Sequence, residues 1–247
     1  MIIKLAFILT FLCYLLSGIA FGHPADELCF QDAEDVLLCS ELAELDRPTT
    51  GGSALPTIEL DRSPVETFSL YTRFGVEHIL PFGVDHLAFL LALILSATAL
   101  RSLLIQISVF TLAHSLTLAL GVMKLVTLNA VLVEVIIALS IAFVAIENLF
   151  VNYRLAWRSV IIFFFGLLHG LGFAGALSEM GVPNDHFVSA LIGFNIGVEI
   201  AQLSFGVVVF FALHKLIKPH HFQRFVFVPG NCLVAIAGSY WLIERLM

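Results

Sequence analysis

Six long apolar runs, near residues 87–100, 103–122, 125–150, 159–178, 187–213 and 225–243, fill most of this 247-residue chain and are separated only by short polar stretches. A bilayer core of ~30 Å takes ~20 helical residues to cross, and most of the runs reach that length. They are continuously apolar rather than alternating, so the backbone satisfies its own hydrogen bonds as helices and not as a barrel. With 60% hydrophobic and 13% charged residues, the solvent for this chain is a bilayer. The expected fold is an all-α integral membrane protein, a bundle of about six transmembrane helices.

The first residues have a different layout. Lys4 precedes an apolar stretch from Leu5 to Ile19, then Ala20-Phe21-Gly22 and His23-Pro24. Small residues at Ala20 and Gly22 mark residues 1–22 as a cleavable signal peptide, with a retained seventh span as the alternative. An outside N-terminus places Arg101, Arg154, Arg158, Lys215, Lys218 and Arg224 in inner loops, against Lys124 alone between spans on the outer side. The positive-inside rule thus agrees with the leader and puts both termini of the mature chain outside.

Residues 23–82 hold twelve Asp and Glu against Arg47, Arg62 and Arg73, a net charge of −9 that accounts for the chain's −7. This segment is read as an acidic extracytoplasmic arm, either simply solvated or gathering cations at the membrane surface. Residues 83–247 form the six-helix transmembrane domain. Cys29 and Cys39 lie in the arm, where an oxidising compartment permits a disulfide. A helix through Phe30, Val36, Leu37 and Leu38 would hold the two sulfurs ~15 Å apart, so helix and bridge exclude one another.

An ionisable side chain in a bilayer is costly enough that each one is a functional candidate. The chain enters its first apolar run through Glu77-His78-Ile-Leu-Pro81-Phe-Gly83-Val-Asp85-His86. Pro81 and Gly83 allow a bend that turns His78 back toward Asp85 and His86. Two imidazoles and a carboxylate suit a divalent ion of borderline softness such as nickel, cobalt or zinc; the plain alternative for Asp85 is a helix cap. His114 follows in the second run, Glu134 and Glu147-Asn148 in the third, and His169 in Gly166-Leu-Leu-His169-Gly-Leu-Gly-Phe-Ala-Gly175 in the fourth. The fifth run carries Asn195, Glu199 and Gln202, spaced to share one helix face. Taken singly, each of these is also explained as a hydrogen bond inside a bundle. Taken together they form a vertical series, with His78, Asp85, His86, His114, His169 and Glu199 as candidate metal ligands and Glu134, Asn195 and Glu147 as relay positions.

At these residues the chain resembles the HupE/UreJ family of bacterial membrane proteins, over roughly residues 65–247. The resemblance is carried by His78 with Gly83-Val-Asp85-His86-Leu, Phe110-Thr-Leu-Ala-His114-Ser-Leu-Thr-Leu, Glu147-Asn148, the His169 segment and Phe194-Asn195-Ile-Gly-Val-Glu199. It implies a six-span, leader-bearing permease of the bacterial inner membrane that passes Ni²⁺ or a similar ion inward, and a metallochaperone or metalloenzyme maturation partner. Two departures point to a divergent branch. Six residues separate His78 from Asp85 where nickel-permease members typically have five, and Phe173 stands where they have a second His.

Three functions fit these residues. The leading expectation is a permease for a divalent transition metal, with the ion as substrate and the lipid bilayer as the other partner. The alternative is an intramembrane zinc-dependent hydrolase with His86, His114 and His169 as ligands and Glu134 or Glu199 as general base. The third is a metal sensor or chaperone partner in which His23 and the arm capture ions. Nucleic-acid, nucleotide and redox functions have no supporting motif. The cluster His214-Lys215, Lys218, His220-His221 and Arg224 reads as a lipid-headgroup face.

Overall fold

A computed structural model describes residues 63–150, 155–179, 182–216 and 219–247. The expected leader and residues 23–62 of the acidic arm, with His23, Cys29 and Cys39, lie outside the described residues.

The first described helix, α1 (Pro64–Ile79), begins with a reciprocal cap. The Glu66 N–H donates to Ser63 Oγ at 3.3 Å, the Ser63 N–H donates to Glu66 Oε2 at 2.8 Å, and Pro64 is preset for the first turn. The helix stops at Leu80 because Pro81 has no N–H to continue the ladder and crowds the residue before it. Gly83 then caps α2 (Val84–Ser96), whose axis is turned 68° from that of α1. A side chain at Gly83 has no room, since a Cβ there would lie 2.9 Å from the Cα of Ile79.

Five further helices follow: α3 (Leu100–Val122), α4 (Ala130–Phe150), α5 (Leu155–Glu179), α6 (Phe187–Leu216) and α7 (Val228–Leu246), the last entered through a π-helical turn at Gln223–Phe227. Among the described residues, five helices are long and apolar enough to cross a membrane, six when the bent pair α1–α2 counts as one broken span. The protein is an all-helical, multi-pass membrane protein, and among the described residues there is no strand.

One helix lies at the centre. From His86 to Leu95 every residue of α2 is buried, as expected for a helix that is apolar on all sides. The others surround it and turn Leu112, Leu116, Leu139, Phe164, Val208 and Ile236 outward, which is the lipid-facing pattern of a bundle whose solvent is hydrocarbon.

Close packing comes from small residues. On α5, a Cβ added at Gly166 would stand 2.6 Å from the Phe110 carbonyl oxygen, and one at Gly170 would meet the His114 carbonyl, so α5 rides directly on the α3 backbone. Gly75 of α1 faces Phe194, while Gly193 and Gly197 of α6 face Phe68 and Thr72. These pairings run in the same chain direction, so α1 and α6 enter the bundle side by side, and Ser189 Oγ donates to the Pro64 carbonyl at 2.7 Å.

The bundle therefore begins at Pro64 rather than at residue 83. Hydropathy assigned 64–79 to the arm because Glu66, Arg73 and Glu77 interrupt its apolar residues; the helix is packed through Thr67, Tyr71, Gly75 and Ile79 while those charges face away. Arg158, counted with the inner-loop cations, is 9% exposed and lies within α5.

Candidate metal centre

The break between α1 and α2 is where the imidazoles converge. His78 lies in the last turn of α1, His86 in the first turn of α2, and His114 on α3, and one nitrogen from each falls within 4.8 Å of the others. His86 is 7% exposed and His114 is fully buried. Such a trio offers three neutral nitrogen donors to one ion, the donor number of a metal site that leaves a further position open. Nε2 of His78, Nε2 of His86 and both ring nitrogens of His114 are buried without a hydrogen-bond partner. Buried polar atoms are normally satisfied, so these nitrogens, close together and without a partner, make the cluster a candidate ligand-binding place.

His169 extends the cluster from α5. Its ring centroid is 5.0 Å from that of His86, its Nε2 is 3.1 Å from Ser140 Oγ of α4, and its Nδ1 is unpartnered. Ser140 thereby fixes the ring while Nδ1 stays available, the usual way a ligand imidazole is oriented from behind. Phe173, one turn further along α5, closes the opposite side. Its ring is 3.8 Å from His78 and stacks on Phe194 at 5.1 Å. That position of α5 is thus an aromatic wall and not a metal donor.

The expected carboxylates stand elsewhere. Asp85 Oδ2 accepts from Arg245 Nη2 at 2.7 Å, and Arg245 Nη1 donates to the Glu134 backbone carbonyl at 3.0 Å. Glu199 Oε1 accepts from Ser108 Oγ at 2.6 Å while its Oε2 is buried and unpartnered. Asn195 accepts from Ser115 at 2.6 Å and Gln202 from Thr111 at 2.9 Å. The shared face of Asn195, Glu199 and Gln202 is real, and it is used to bond α6 to α3.

At the other end of the bundle lies a polar network that the sequence did not reveal. Arg158 donates from Nε to Gln106 Oε1 at 2.9 Å and from Nη2 to Asn148 Oδ1 at 2.7 Å, with Glu147 Oε2 3.8 Å from Nη1. Asn148 Nδ2 reaches Asn231 Oδ1 at 2.6 Å and the Ala92 carbonyl at 2.9 Å. Five helices are joined there by buried polar groups. A lone Asn or Gln in an apolar run signals little; the signal available was their recurrence at one depth.

A family model described as HupE / UreJ protein matches residues 55–245. No curated protein and no solved structure matches the chain.

Proposed function

The chain belongs to the HupE/UreJ family, and from that premise we propose that it is a permease for a divalent transition-metal ion such as nickel or cobalt, which moves inward past the imidazole cluster. The observation that carries this reading is the position of the trio at the break in a membrane-spanning segment. Interrupted helices are where transporters place their substrates, because the broken ladder frees groups for the ion. Nitrogen donors select borderline ions over magnesium and calcium, which take oxygen.

With the leader and loop charges setting the sidedness, the end bearing Asp85 and Arg245 faces outward and the Arg158 network faces inward. The ion then enters from the outer side, is held by His78, His86 and His114, and passes by way of His169. Glu199, Asn195 and Glu134 act as polar neighbours, and the route ends at the Glu147–Arg158 network. That network closes the inner end with a fixed guanidinium, so passage requires it to rearrange.

The hydrolase reading takes His86, His114 and His169 as ligands, and only the first two belong to the clustered trio. Its expected bases, Glu134 and Glu199, do not belong to the His78–His86–His114 group, and Glu199 is bonded through Oε1 to Ser108 of α3. Elemental analysis of purified protein before and after dialysis separates the two. Nickel or cobalt that binds and dialyses away, and is lost in His86→Ala, supports the permease; one zinc per chain that resists dialysis supports the hydrolase.

A further inference from the structure

We propose that Arg245 is an internal counter-cation: it neutralises Asp85 while the imidazole site is empty and yields that carboxylate when a metal ion arrives. The proposal rests on the transition-metal reading of the trio and identifies what sets the charge of that site.

Three imidazoles bring no negative charge, and a dication among them in a buried place carries two uncompensated charges, which is strongly disfavoured. A carboxylate is needed close by. Asp85 is the acid covalently next to His86, in the same first turn of α2. Its Oδ2 is held at 2.7 Å by Arg245 Nη2, and the two side chains are 25% and 21% exposed, so the pair is neither sealed in nor freely solvated. Arg245 is positioned for this task by a second contact, Nη1 to the Glu134 carbonyl at 3.0 Å. It belongs to the last turn of α7. Of the other acids in the spans, Glu147 faces Arg158 at the far end, Glu199 has Oε1 on Ser108 with Oε2 unpartnered, and neither Glu199 nor Glu134 adjoins a histidine of the trio in sequence as Asp85 does.

The exchange moves the Asp85 carboxylate from one cation toward the other and changes no covalent bond. Arg245 thus opposes metal binding while the site is empty and favours release, which a carrier requires as much as capture.

The test is a titration of the purified full chain in detergent with Ni²⁺ and Co²⁺. Arg245→Gln is expected to bind at least ~10-fold more tightly than wild type, because the carboxylate no longer has a competing partner. Asp85→Asn is expected to bind at least ~10-fold more weakly, and the double variant to match Asp85→Asn. Arg245→Lys, which keeps the charge without the fork, should gain less than Arg245→Gln and keeps the test open if the glutamine variant does not fold. Arg245→Gln that is folded but binds no more tightly than wild type overturns the proposal, as does a double variant as tight as Arg245→Gln. A wild type that binds neither ion overturns the transition-metal reading itself, and the exchange with it.

Discussion

At the scale of single residues, His86 is the hub. Its ring neighbours those of His78, His114 and His169, at centroid distances of 4.8, 5.7 and 5.0 Å. Substituting His86→Ala should weaken metal binding at least ~100-fold, beyond the usual cost of losing a supporting contact, as read by titration of the purified protein. Ser140→Ala removes only the group that orients His169, so it should cost less, ~10-fold, with the fold unchanged; equal losses in the two variants would place Ser140 among the ligands. The four imidazoles were legible in the sequence because titratable groups are rare in apolar runs. The partner of Asp85 was not, because Arg245 is 160 positions away and sits in the polar end of the last run, where nothing local marks it. Phe173 was legible as a departure from the nickel-permease pattern, but not as a wall stacked on His78.

At the scale of elements, the broken span α1–α2 does the positioning. Pro81 and Gly83 make the bend legible in the sequence, since each forbids or spares a specific backbone contact. The full length of α1 stayed hidden, because a helix that packs one face against α6 and carries Glu66, Arg73 and Glu77 on another has no long apolar run. Its hold on α6 depends on Gly75, whose missing side chain lets the Phe194 backbone come into contact. Gly75→Val should therefore lower the thermal midpoint in detergent, by an overpacking cost of ~1–3 kcal/mol, and should weaken metal binding by shifting His78. A midpoint equal to wild type would show that α1 is not docked this way.

At the scale of the whole molecule, two polar layers divide the bundle: imidazoles at the break and the Arg158 network at the far end. Loop charges suggested the orientation, and the burial of Arg158 removes one cation from that count without reversing it, since Arg101, Lys215 and Arg224 still outnumber Lys124. Arg158→Ala leaves Glu147 buried without its cation and should destabilise the protein by ~3–5 kcal/mol. Adding Glu147→Gln should restore part of that loss, as followed by thermal unfolding; no recovery would mean that Arg158 acts through Gln106 and Asn148 alone. The long spans were written in the sequence because an apolar run is a local pattern. The two layers depend on which helices become neighbours, and local pattern does not carry that information. The central claim is that a metal ion crosses the membrane by way of the trio. It is tested most directly by ⁶³Ni²⁺ uptake into proteoliposomes containing wild type, His86→Ala or His114→Ala. Time-dependent accumulation in wild-type vesicles, reduced to the protein-free level in both variants, is the predicted result; accumulation that is equal in all three, or absent from wild type for nickel and cobalt alike, would contradict it.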